Sequence, residues 1–264
     1  MDLGLRGKLA VVTGSTAGIG YAIATVLSDE GARVAINGRT QARVDKALLT
    51  LGQHNRGAEF IGVAADLGTA TGIEKLLKEI PNTDILVNNL GIFEVKPFLE
   101  IGDADWLRFF EVNVMSGVRL SRAYLPGMLK KNWGRIIFIS SESGQQIPAE
   151  MVHYGMTKTA QVAVARGIAE SVAGTGVTAN SVLAGPTASE GVGSYLQDMT
   201  RSQGKSPAEI EKEFFNSARP SSLLQRFAKS EEVAAVVAFV ASTNSTLVNG
   251  SAVRAEGGVV RSVF

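Results

Sequence analysis

The feature that most constrains how this chain folds is a short apolar run, Lys8 to Thr13 (K-L-A-V-V-T), that breaks into Gly14-Ser-Thr-Ala-Gly18-Ile-Gly20 and resumes with a helical period. A β-branched run of this length predicts a strand, and Ile19, Ile23, Val26 and Leu27 then share one side of a helix over residues 19–30. The glycines allow a tight turn and let the backbone approach a pyrophosphate, which would rest on the helix N-terminus. Strand, glycine turn and helix together are the setting of a dinucleotide site, so Gly14, Ser15, Thr16, Gly18, Ile19 and Gly20 are the expected contacts. The spacing, T-G-x-x-x-G-x-G, is neither the G-x-G-x-x-G of many dehydrogenases nor a G-x-x-x-x-G-K-S/T phosphate loop.

The same alternation continues along the chain. Arg33 to Asn37 predicts a second strand, followed by Gly38-Arg39-Thr40 and a helix from about Gln41. In such an architecture the end of the second strand faces the adenosine ribose. An acid there suits the 2′-hydroxyl of NAD, and a nearby Arg suits the 2′-phosphate of NADP. Gly38 brings no acid and Arg39 follows it, so NADP(H) is the expected cofactor, with NAD(H) not excluded. Further strands are predicted at 59–65 (ending at Asp66-Leu67), 84–88 (ending at Asn88-Asn89-Leu90-Gly91), 135–140, 178–183 and 251–255. Helices are predicted over 72–80, over 103–131, over a stretch that carries Tyr154 and Lys158 and extends to about 173, and over 230–241 with Ser230 as N-cap. Asn113 in the middle of the long helix marks a local irregularity or a buried polar role, because its side chain competes for backbone groups. Strands alternating with helices imply an α/β fold, a Rossmann-type doubly wound parallel sheet of about seven strands with helices on both faces, in a single domain over 1–264. Residues 187–227 break the rhythm, with short helices near 195–199 and 207–215. They read either as a substrate lid or as a peripheral helical hairpin.

The second informative stretch is Ser141 to Lys158, S-E-S-G-Q-Q-I-P-A-E-M-V-H-Y-G-M-T-K. It places a hydroxyl at a strand tip and a phenol and an amine four residues apart, on one helix face. A cation beside a phenol lowers its pKa from about 10, which lets Tyr154 donate or accept a proton near neutrality. Such a pair taken alone is more often a plain surface pair. Composition narrows the remaining classes: 26 basic and 25 acidic residues leave no basic field for nucleic acid and no polybasic membrane patch. There is no cysteine, the two histidines (His54 and His153) are far apart, and no metal site is expected. No apolar run approaches a membrane span, and a cytoplasmic protein is the expectation.

Taken in order, T-G-x-x-x-G-x-G at Thr13–Gly20, Asp66, N-N-L-G at Asn88–Gly91, Asn113, Ser141 and Y-x-x-x-K at Tyr154–Lys158 resemble the short-chain dehydrogenase/reductase family in its shorter single-domain form. The resemblance implies that Tyr154 is the general acid or base, that Lys158 lowers its pKa and binds the nicotinamide ribose, and that Ser141 holds the substrate oxygen. Asn113 would fix a water near Lys158 as a proton relay. It further implies cofactor contacts from Asp66, Leu67, Asn89, Gly91, Tyr154 and Lys158. Pro186 with Thr187 or Ser189 would hold the nicotinamide carboxamide, and the protein is expected to be a homodimer or homotetramer. Leu90 and Ala184-Gly185-Pro186 depart from the family's usual N-N-A-G and P-G. Candidate substrate contacts are Phe93, Ser141, Gln145, Gln146, Met151, His153 and Tyr195, with His153 read as a pocket-wall or interface residue before a catalytic one. The expected activity is interconversion of a small-molecule ketone or aldehyde with an alcohol. The alternatives are a reductase of 3-oxoacyl thioesters on an acyl carrier protein and, from another class, a non-catalytic cofactor-sensing protein.

Overall fold

The computed structural model describes residues 1–189, 200 and 204–263. Its strands are β1 (Leu9–Val12), β2 (Arg33–Gly38), β3 (Phe60–Ala64), β4 (Ile85–Asn88), β5 (Gly134–Ser141), β6 (Val177–Ala184) and β7 (Ala252–Ala255). All pair in parallel, in the order β3-β2-β1-β4-β5-β6-β7. The helices are α1 (Gly18–Asp29), α2 (Gln41–His54), α3 (Ala70–Glu79), α4 (Asp103–Phe110), α5 (Ser116–Lys131), α6 (Val152–Ser171), α7 (Pro207–Ser217) and α8 (Ser230–Ala241).

The apolar pattern explains the two helical layers. Side chains alternate across a strand, so Ala10 and Val12 of β1 pack with α1, α2 and α8 while Val11 packs with α3, α5 and α6. In β5, Ile137 and Ile139 likewise face the first layer and Ile136 and Phe138 the second. A sheet covered on both faces needs apolar residues at successive positions, and every residue of β5 and β6 is buried. Each fully buried Ile or Leu, such as Ile23 and Leu27 of α1, contributes about 1.5–3 kcal/mol.

The predicted helix over 103–131 is three pieces. Between α4 and α5 lies a π-helical turn, Glu111–Met115, with Asn113 buried in it. Such turns insert one extra residue and recur at functional sites. Helix α7 starts where Pro207 pre-sets φ, and Ser206 and Glu209 cap each other's backbone amides. Ser230 is not the N-cap of α8. Lys229 holds that position, and the Glu232 carboxylate accepts from its backbone N–H. The predicted helix at 195–199 lies outside the described residues. Strand order reverses between β1 and β4, and parallel sheets of this kind bind ligands at the carboxyl ends of the strands flanking that point.

Candidate functional site

A cleft of about 830 Å³ opens there, lined by Ala17–Gly20 after β1, Asn89, Gly91, Ile92 and Phe93 after β4, the end of β5, and residues 184–187 after β6. Gly14 and Gly18 adopt φ of 60° and 57°, a region that favours glycine. A Cβ on Gly20 would meet Gly14 O and Asn89 Nδ2 at 2.5 Å, so the turn closes on itself only with glycine there. The turn is held from behind. Asn37 Oδ1 accepts from Gly14 N (3.1 Å), while Asn37 Nδ2 donates to the carbonyls of Val63 and Ala65.

Several expected cofactor contacts have other work for their side chains. The Ser15 hydroxyl is fully buried, donating to Val12 O and accepting from Asn37 N. Asn89 Nδ2 donates to Thr13 O and Gly14 O, bracing the turn. Leu67 is packed in the core, which leaves only its backbone for a ligand. Thr16 lies over Gly38, where a Cβ would meet its methyl at 2.5 Å. Asp66 is exposed with Oδ1 accepting from Gly68 N, and Arg39 is exposed at the end of β2. The departure at Leu90 is absorbed by packing against the core layer of α3, α5 and α6. Pro186, Thr187 and Ser189 line the cleft, with the Thr187 hydroxyl donating to Gly185 O at 2.8 Å.

Ser141, Tyr154 and Lys158 meet in the same cleft, and Asn113 stands behind them. Asn113 is locked by three hydrogen bonds: Oδ1 accepts from Ile92 N (2.8 Å), and Nδ2 donates to Ile92 O and Thr157 Oγ1. The Lys158 ammonium donates to Ile139 O at 2.8 Å and to Gln161 Oε1 at 3.2 Å. Gln161 Nε2 in turn donates to the backbone carbonyl of Asn113 at 2.6 Å. A carbonyl can only accept and an ammonium only donate, so these partners fix the orientation of the amide. A side chain of α6 thus ties the Lys158 ammonium to the backbone of Asn113.

The electrostatics differ from the sequence expectation. Burial first, and the Glu142 carboxylate second, push the Tyr154 phenol above its ordinary value; the Ser141 hydrogen bond and the Arg219 charge oppose them. The Lys158 ammonium bonds to Ile139 O and Gln161 and lies over the Tyr154 ring, 5.5 Å from its centroid. Burial lowers Lys158 to about 8, against an upward pull from Glu142.

On the substrate side, Phe93 and Met151 line the cleft, and Phe93 meets the Tyr154 ring edge-on at 6.4 Å. Gln145 and Gln146 face outward; Gln146 Nε2 reaches Ser221 Oγ at 3.5 Å. His153 is not in the pocket wall. It is fully buried beneath α4, its ring 4.0 Å from Phe109 and 6.2 Å from Trp106, and neither ring nitrogen has a hydrogen-bond partner among the described residues. Tyr195 lies outside the described residues. The residues missed from sequence are Glu142, Arg219 and Gln161. Glu142 and Arg219 are 4% and 7% exposed, with Arg219 Nε donating to Glu142 Oε1 at 2.9 Å. Glu142 Oε1 also accepts from Ser143 Oγ, and Oε2 accepts the Ser141 hydroxyl proton. Arg219 reaches Glu150 as well, at 3.3 Å.

The short chain dehydrogenase family model matches residues 8–200. YvaG, an uncharacterized oxidoreductase of Bacillus subtilis (strain 168), is 47% identical over 264 residues, spanning 100% of both chains. The 3-oxoacyl-[acyl-carrier-protein] reductase FabG of Aquifex aeolicus (strain VF5) is 33% identical over 264 residues, 98% of this chain and 100% of its own. Among solved structures, L-sorbose reductase from Gluconobacter frateurii, complexed with NADPH and L-sorbose, matches with a TM-score of 0.94 at 29% identity, covering 100% of both chains.

Proposed function

This chain belongs to the short-chain dehydrogenase family of oxidoreductases, and we propose that it interconverts a carbonyl compound and an alcohol with NADP(H), using Tyr154 as proton donor and acceptor. The observation that carries the reading is the meeting of Ser141, Tyr154 and Lys158 in a cleft continuous with the glycine turn. The turn fits a pyrophosphate: the left-handed Gly14 and Gly18, and the absence of a Cβ at Gly20, leave backbone open at the N-terminus of α1. Exposed Arg39, with no acid at Gly38, favours the 2′-phosphate, and the NADPH-bound relative supports the same cofactor by similarity. When bound, NADP(H) supplies or takes the hydride.

The chain's own groups supply the rest. The Ser141 hydroxyl donates to the substrate oxygen and fixes it beside the Tyr154 phenol. Burial keeps that phenol protonated, the form needed to hand a proton to the developing alkoxide in reduction. Lys158, charged below about pH 8, lies beside Gly91, where a Cβ would stand 3.5 Å from Nζ, and would hold the ribose hydroxyls of the cofactor. Asn113 and Gln161 hold the lysine's surroundings in place.

Replacing Tyr154 with Phe keeps the ring and removes the proton. We expect kcat for carbonyl reduction to fall by about a thousandfold, within the range for losing a general acid, while fluorescence titration still shows NADPH binding. Activity within tenfold of the parent would overturn the assignment. The relationship to FabG keeps 3-oxoacyl thioesters as a second reading, and turnover of an acetoacetyl thioester separates the two.

A further inference from the structure

Glu142 and Arg219 form an ion pair in the wall of the cleft, one residue from Ser141. Burying two charges costs several kcal/mol each before their attraction is counted, and apolar residues of similar size often serve stability as well or better. Stability therefore does not account for the pair, and its bonding suggests what does. Ser141 has one hydroxyl proton, which here goes to Glu142 Oε2. During reduction the same proton must go to the substrate oxygen. Glu142 Oε2 then loses its donor inside a buried site, while Arg219 and Ser143 remain on Oε1. A substrate can restore the missing donor if it carries a hydroxyl on the carbon next to its carbonyl.

We propose that the substrate is an α-hydroxy ketone of the ketose kind, or the matching vicinal diol, whose neighbouring hydroxyl donates to Glu142 as Ser141 turns to the carbonyl oxygen. This rests on the carbonyl reductase reading above. Reduction adds one hydride to the carbonyl carbon and one proton from Tyr154 to its oxygen, giving the diol as NADPH becomes NADP+; Tyr154 is then reprotonated from solvent. Further hydroxyls of a longer substrate meet Glu150, and Phe93 and Phe214 offer apolar walls to its carbon face. Beyond Tyr154 and Lys158, the ionisable side chains lining the cleft among the described residues are Glu142, Glu150, Glu213 and Arg219. Three carboxylates against Arg219 and Lys158 leave the lining net negative, which disfavours a substrate with its own phosphate or carboxylate and separates this class from keto acids.

Hydroxyacetone and methoxyacetone test the idea directly, because both carry an electron-withdrawing oxygen on the same carbon and only the first can donate. The purified enzyme with NADPH should show kcat/KM at least about tenfold higher for hydroxyacetone, the loss expected when a buried acceptor goes unpaired. Glu142→Leu should bring the ratio close to one, as should Glu142→Met if the leucine variant fails to fold. Calorimetry on the NADP+ complex of the Tyr154→Phe variant, which binds without turnover, should show propane-1,2-diol binding more tightly than 1-methoxy-2-propanol. Equal kcat/KM for the two ketones, or a ratio that survives at position 142, overturns the inference and leaves the reductase reading standing. If no ketone, including the strongly electrophilic 2,3-butanedione, consumes NADPH, the reductase reading itself fails.

Discussion

Gln161→Leu offers a sharp test of how the site holds its lysine. In the parent, Gln161 Oε1 accepts from the Lys158 ammonium at 3.2 Å and Nε2 donates to Asn113 O at 2.6 Å, with the side chain almost fully buried. Leucine fills a similar space and removes the acceptor, leaving Ile139 O as the described partner of the ammonium. A hydrogen bond to a charged group contributes about 1.5–3 kcal/mol, and the long distance points to the lower end. At about 1.4 kcal/mol per pKa unit, Lys158 should drop by about one unit, from about 8 to about 7. The alkaline fall of kcat/KM should then begin about one unit earlier. At pH 7.5 the charged fraction would go from about three quarters to about one quarter, a threefold loss, with little change at pH 6. Gln161→Glu keeps an acceptor and adds a negative charge, so its alkaline limb should move upward. Full pH profiles of the three proteins with NADPH provide the check. An unshifted limb in Gln161→Leu, with only thermal stability lowered, would show that the amide merely fills space.

Three further outcomes follow from the geometry. Arg39→Ala should raise KM for NADPH about tenfold to a hundredfold, the scale of one charge-assisted hydrogen bond, and leave KM for NADH within about threefold; parallel changes would remove Arg39 from the cofactor site. Gly20→Ala sets a methyl 2.5 Å from Gly14 O and Asn89 Nδ2, so NADPH affinity by fluorescence titration should fall at least tenfold, with about 1–3 kcal/mol of stability lost to overpacking. His153 is held below its ordinary pKa chiefly by burial. The unfolded chain thus binds the proton more readily, and stability is lost as pH falls through about 6.5. His153→Phe should flatten the loss of Tm between pH 7.5 and 5.5, whereas parallel slopes in the two proteins would show that another group sets the acid limit.

The fold was legible because each strand and helix announced itself locally. β-Branched runs gave the strands, and the apolar spacing of Ile19, Ile23, Val26 and Leu27 gave α1. Asn113 was also readable: a poor mid-helix residue marked the π-turn. What stayed hidden depended on contacts between distant parts of the chain. Glu142 and Arg219 are 77 residues apart, and neither is unusual in its own segment. Gln161 left a faint signal, three residues after Lys158 and four before the buried Ala165, a spacing that places it on the inner face of α6. His153 was read as a pocket-wall or interface residue because it directly precedes Tyr154; the helical turn instead points it under Phe109.

The π-turn at Glu111–Met115 also bears on how this chain tolerates changes of length. Removing one residue there would let α4 and α5 join as an ordinary helix, which is locally favourable. The turns on either side would keep their phase, because a π-turn takes up one extra residue without rotating the helix beyond it. Leu120, Tyr124 and Met128 would still face the sheet and Phe109 would keep its seat against His153. What the bulge sets is Asn113, whose hydrogen bonds to Ile92 and Thr157 need the extra residue. A single-residue deletion in this stretch should therefore cost activity before it costs the fold.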